Sequence, residues 1–154
     1  MMKIEDHDFR PLNEFPLKWR WTDSHWHELP DEALETIQPF TEDKSHELLQ
    51  YSLTFSNALG LFESPFENIS RTPAPANSSE VRQWLLDRSD NKIETVIVSW
   101  DEHNAVLVRW DVFCEYWDDF CYPVSDCVTI WPPSEQWAVM YLHHEEFVFG
   151  VRCG

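Results

Sequence analysis

From residue 93 onward the chain is built of short apolar runs parted by polar breaks: IETVIVSW, NAVLVRW, DCVTIWP, EQWAVMYLH and FVFGVRC. Such runs are rich in β-branched and aromatic residues, which fit a pleated, half-buried surface, so each is read as a strand. DEHN joins the first two as a β-hairpin, and HHEE (His143 to Glu146) is the polar turn of the last one. Between the hairpins lies DVFCEYWDDFCY. There Val112, Phe113, Tyr116, Trp117 and Phe120 fall on one helical face, with Asp111 as N-cap and Glu115, Asp118 and Asp119 on the wet side. The order is β-β-α-β-β-β, and links this short require mostly antiparallel pairing. Gly150, inside the final run, marks a bulge or a close backbone approach.

The N-terminal half reads differently. FPLKWRW alternates apolar and polar residues with period two, the signature of an extended edge segment carrying Pro16. LPDEALETIQPF is a short helix stopped by Pro39. TEDKSHELLQYSLTFSNALG is a longer one, capped by Thr41, with Gly60 as its C-terminal signal. NSSEVRQWLLDRSD is a helix opened by an Asn77/Glu80 capping box. The expected class is therefore α+β: a mostly antiparallel sheet of about five strands in the C-terminal half, packed with three or four helices. Residues 1–154 are expected to form a single domain, with residues 63–78, rich in Pro, Ser and Asn, as a possible internal linker.

Charge narrows the function. Twenty-eight Asp and Glu oppose eleven Lys and Arg, a formal net charge of −17. The excess is not local, since residues 1–70 carry 14 acids and 5 bases and the remainder 14 and 6. A field of this sign repels nucleic-acid phosphates and anionic lipid heads, and steers basic proteins inward. The only glycines are Gly60, Gly150 and Gly154, too few for a glycine-rich phosphate cradle. No nucleotide or other cofactor is expected. The N-terminus lacks the apolar core of a signal peptide, no run is long enough to span a bilayer, and the four cysteines contain no C-x-x-C pair. A reduced, cytoplasmic protein is the expectation.

Two clusters have the residue types of a metal site. Asp23, His25 and His27 are spaced by two, so an extended chain presents all three on one face; His143 and His144 form the other cluster. They raise a small metal-dependent enzyme as the alternative function, provided residues 23–27 fold against the hairpin tip. Nothing near Cys127 in sequence activates a thiolate. Trp19, Trp21 and Trp26, amid charge, and the acidic pair Asp118 and Asp119 are the candidates for an interface with a basic protein. A third reading is a structural or regulatory domain.

The segment YPVSDCVTIWPPSEQWAVMYLHHEEFVFG resembles a tail found in small acidic bacterial proteins, in which a Ser-Asp loop leads into a strand, then Trp-x-x-x-Tyr, a polar turn and Phe-Gly. The matching residues are Ser125, Asp126, Trp137, Tyr141, Phe149 and Gly150. Some of those families are uncharacterised; others resemble immunity proteins that neutralise polymorphic toxins. The resemblance spans residues 122–150, implies a bacterial, cytoplasmic, non-enzymatic binding protein, and transfers no site residues.

Overall fold

The computed structural model describes residues 2–153. Its centre is a seven-stranded antiparallel sheet in the order β1-β6-β5-β7-β8-β9-β4. The five inner strands are those read from the sequence: β5 (Thr95–Asp101), β6 (Asn104–Arg109), β7 (Val128–Trp131), β8 (Trp137–Leu142) and β9 (Glu146–Arg152). Two more come from the N-terminal half. β1 (Gln38–Pro39) joins β6, and β4 (Phe66–Pro73) joins β9. A separate hairpin pairs β2 (Ser56–Asn57) with β3 (Gly60–Leu61).

β4 corrects the linker reading of residues 63–78. One side of it is solvated, so its residues are mostly polar, and it lies at the sheet edge, where Pro73 leaves no ladder bond unmade. A polar edge strand and a loop look alike in sequence. The edge is blunted by a register shift between Glu67 and Ser70, with Asn68 at φ 54°.

The inner strands are mainly apolar on both sides because both faces of the sheet are covered. On one face Val96, Val98, Val106, Val108, Ile130, Val139, Tyr141 and Phe147 meet α1 (Trp19–Thr22), α2 (Asp31–Leu34), α4 (Ser79–Leu86), α5 (Trp110–Glu115) and α6 (Trp117–Phe120). On the other, Ile97, Ala105, Trp131, Ala138, Met140 and Val148 pack with Leu48 of α3 (Glu42–Ser52) and with Phe55, Leu61 and Phe66. Trp21, Trp110, Trp117 and Trp131 are fully buried and Trp137 nearly so, which places five of the nine indoles in the core. Among the described residues no helix is long and apolar enough to cross a membrane.

Local signals explain the helices. The Thr41 side chain accepts a hydrogen bond from the Lys44 N–H and caps α3 as expected. That helix stops at Ser52, so Gly60 is no C-cap; it opens β3 opposite Asn57, at φ 133°, a conformation suited to glycine. α4 is capped by Ser78, which accepts from the Val81 N–H, rather than by Asn77. Asn77 takes a left-handed φ of 63° just ahead of the cap. Residues 15–21 are not extended: the backbone turns at Pro16 and closes α1, so Trp21 and Arg20 are both buried. The single helix expected after Asp111 is two, broken at Tyr116 (φ −115°, ψ 26°). The HHEE turn is as read: Leu142 pairs with Glu146, leaving a three-residue loop that ends on Glu145 at φ 64°.

Gly150 marks close packing. A Cβ added there would lie 2.9 Å from Phe66 Cβ, and that atom sits on the neighbouring edge strand. Gly150→Ala should therefore destabilise the protein by about 1–3 kcal/mol through overpacking, measurable as a lowered urea midpoint with an unchanged slope.

Candidate functional site

The site begins with a buried cation. Arg20 is 6% exposed, and a guanidinium removed from water needs a counter-charge and acceptors for its donors. Nη1 donates to Asp126 Oδ2 at 2.7 Å and to the Phe120 carbonyl at 3.1 Å, and Nη2 reaches Asp126 Oδ1 at 3.3 Å. The guanidinium also lies over the rings of Tyr122, Trp19 and Trp100, at 4.4, 5.3 and 5.8 Å from their centroids. Asp126 Oδ2 in turn accepts the Tyr122 N–H. This pair binds the N-terminal aromatic segment to the loop between α6 and β7.

Trp21 completes the anchoring. Its indole N–H donates to the Asp119 carbonyl at 3.1 Å, and its ring packs on Phe15 and Phe120. The Leu29 N–H donates to the Trp21 carbonyl, so residues 22–28 form a closed loop held at both ends. Trp26, 60% exposed, stands on that loop against Trp19 and Tyr122, with ring centroids 4.9 and 6.0 Å away. His27 turns the other way, and its Nδ1 lies 2.7 Å from Asp119 Oδ2.

Between this loop, α4 and the α5–α6 break lies a cleft of about 430 Å3. Trp26 and His27 line one wall, Tyr116 and Glu115 another, and Asp118, Asp119 and Arg82 the rest. The break at Tyr116 gives α6 its own first turn, and Asp118 and Asp119 lie there. Asp118 Oδ2 accepts the Asn77 N–H at 2.9 Å, which joins the start of α4 to the site. Arg82 donates Nε–H to the Glu115 carbonyl at 2.8 Å. Three carboxylates thus face one guanidinium and one imidazole around an exposed indole, an arrangement suited to receiving a further cation. Burial raises the Asp119 carboxyl above its ordinary value of 3.8, against the opposing pull of its hydrogen bond with His27.

Trp26, Asp118 and Asp119 therefore converge, with Trp19 behind them; Trp21 is a buried support with no surface to offer. The metal candidates disperse. The chain bends at Asp23, whose carboxylate accepts the His25 N–H and meets its ring at 3.0 Å, while His27 leaves for Asp119. The His25 N–H holds the Asp23 carboxyl below the ordinary carboxylate range. At the hairpin tip His144 meets Glu146 at 3.2 Å and His143 meets Cys127. Among the described residues no three His, Cys, Asp or Glu side chains gather as a metal site. As site residues Arg82, Asn77 and Tyr116 are not legible in the sequence: Asn77 reads as a helix cap and Tyr116 as part of a helical face, Arg82 carries no motif, and the segments that bring them together are apart in the chain.

A larger opening, of about 600 Å3, lies beside Tyr51 and Arg152. There Arg152 donates to the Tyr51 hydroxyl at 2.9 Å and lies over Phe55 and Phe66, and burial pushes the Tyr51 hydroxyl up to about 12. The arginine is committed to packing, and no exposed anchor comparable to Trp26 lines the opening.

Two outcomes follow from these contacts. Asp126→Ala leaves Arg20 buried without its counter-charge and should cost about 3–5 kcal/mol in chemical denaturation. Asp119 is held with a raised proton affinity in the fold, so ionising it costs more folded than unfolded. Its contribution to stability is most favourable below 3.8 and declines as pH rises through the raised value. Asp119→Asn should therefore raise the melting temperature at neutral pH, and the gain should shrink in acid. No protein-family model, curated protein or solved structure matches this chain.

Proposed function

We propose that the protein is a non-enzymatic, cytoplasmic binding protein, immunity-like in its mode of action, that occludes a basic protein partner with its carboxylate-rich surface. The observation that carries this reading is Trp26, a large indole left 60% exposed at the mouth of a cleft whose walls hold Glu115, Asp118 and Asp119. Exposed aromatic anchors beside concave polar walls are the usual makings of an interface hot spot. An arginine or lysine of the partner stacks on the indole while its charged head meets the carboxylates. The net charge of −17 draws such a partner in over long range. If the partner acts on nucleic acid, these carboxylates occupy the positions that phosphates would take, and binding excludes the substrate. Four free cysteines accord with a reducing compartment.

The test is recovery of the partner from the source organism at low salt, its identification by mass spectrometry, and reconstitution of the pair from purified components. A basic protein released by raised salt is expected; binding indifferent to salt would sink the reading. Trp26→Ala should weaken the reconstituted pair by about 2 kcal/mol, roughly thirtyfold in Kd. Because the side chain is mostly exposed, the same change should move stability by no more than about 0.5 kcal/mol.

A further inference from the structure

The β7–β8 pairing brings together two side chains that are remote in sequence. Val128 lies opposite Tyr141, so Cys127, just before β7, meets the end of β8, where the chain enters His143. Cys127 Sγ lies 3.4 Å from His143 Nδ1. The tip is fixed there from two sides: the Val124 N–H donates to the His143 carbonyl at 2.9 Å, and the Glu145 N–H to the Leu142 carbonyl at 2.9 Å. Cys127 is partly exposed and His143 exposed, so both are open to a small reagent.

The other thiols are placed differently. Cys114 and Cys121 are buried, and burial pushes both thiols up, away from the thiolate. Cys153 is exposed but lines the cleft beside Tyr51 and Arg152. Cys127 combines access with a base at hydrogen-bond distance, the arrangement that activates a sulfur nucleophile. The charged groups of the adjoining segments are Asp126, already held by Arg20; Glu146, which accepts from Arg71 Nη1 at 2.8 Å and meets His144; and Glu145 at the end of the turn. That local balance, within a chain of net charge −17, disfavours anionic reagents and draws in cationic ones.

We propose that Cys127 and His143 form a thiol–disulfide exchange site selective for small cationic disulfides. His143, in the tautomer with hydrogen on Nε2, accepts the Cys127 proton at Nδ1. The thiolate attacks one sulfur of the disulfide; a new S–S bond forms at Sγ as the old one breaks. The departing sulfur carries off the electron pair and takes the proton from the imidazolium. One thiol and one disulfide enter, and one mixed disulfide and one thiol leave, so no external oxidant is required.

The experiment uses the full chain with Cys153→Ser and follows reaction with cystamine, a dicationic disulfide, and with the anionic 5,5′-dithiobis(2-nitrobenzoate). Peptide mass mapping should place the cysteamine adduct on Cys127. His143→Gln, an exposed substitution that keeps polarity but removes the base, should slow the reaction at least about tenfold near neutral pH. It should also change the shape of the pH profile of the rate. Measured against free cysteine, the rate should favour cystamine over the anionic probe at low salt, and the preference should collapse as salt is raised. An unchanged rate and pH profile in the His143→Gln protein overturns the pair, as does faster labelling of Cys153 in the unaltered chain. A preference for the anionic probe overturns the charge selectivity.

Discussion

A guanidinium taken out of water holds its surroundings in place, because its charge needs a counter-charge and its donors need acceptors. The two Nη atoms of Arg20 find theirs, while its Nε–H has none among the described residues. Arg20 makes its replacements with Asp126, with the Phe120 carbonyl and with three aromatic faces, joining positions 106 residues apart. The contact ties α1, just ahead of the loop of residues 22–28, to the end of α6 and to the loop that leads into β7. The energetic cost of burying two charges is considerable, and an apolar pair of the same shape need not be less stable. What the ion pair adds is direction, since an apolar cluster would tolerate a rotated or slipped N-terminal segment.

The division of labour among the tryptophans follows. Trp21, Trp110, Trp117 and Trp131 are enclosed, whereas Trp26 stands outside on a loop pinned at Trp21 and Leu29. A side chain that contributes little to the fold is free to contribute to recognition. Asp119 shows the converse: the fold raises its proton affinity by burial and partly offsets this with His27, keeping a costly charge at the wall of the cleft.

Much of this was legible in the sequence, and the parts that were not have identifiable causes. Hairpin strands announce themselves because β-branched runs and tight turns are local signals, and the Thr41 cap is likewise local. β4 was hidden because a strand with one solvated side has the composition of a loop. Residues 15–21 misled because one short turn of helix gives no periodicity to count, and an alternation of Trp with Lys and Arg resembles a strand. The burial of Arg20 depends on an aspartate in the other half of the chain, which no window can see. The cleft was half visible: Trp26, Asp118 and Asp119 carry the types that interfaces use, but Tyr116, Arg82 and Asn77 join them only through tertiary packing. Cys127 and His143 were separately visible, and their contact depends on strand register.

The strand order has a bearing on how the molecule comes to be. β1 and β4 are made early in synthesis, yet they occupy the two outer edges of the sheet, and their partners β6 and β9 follow much later in the chain. Phe66, the buried residue at the start of β4, can rest on Phe55 early, but its strand has no partner until Gly150 and its neighbours leave the ribosome. The first half must therefore wait, partly unfolded and strongly self-repelling, for the second half to arrive and fill the space between its strands. Its excess of negative charge discourages one waiting chain from pairing with another.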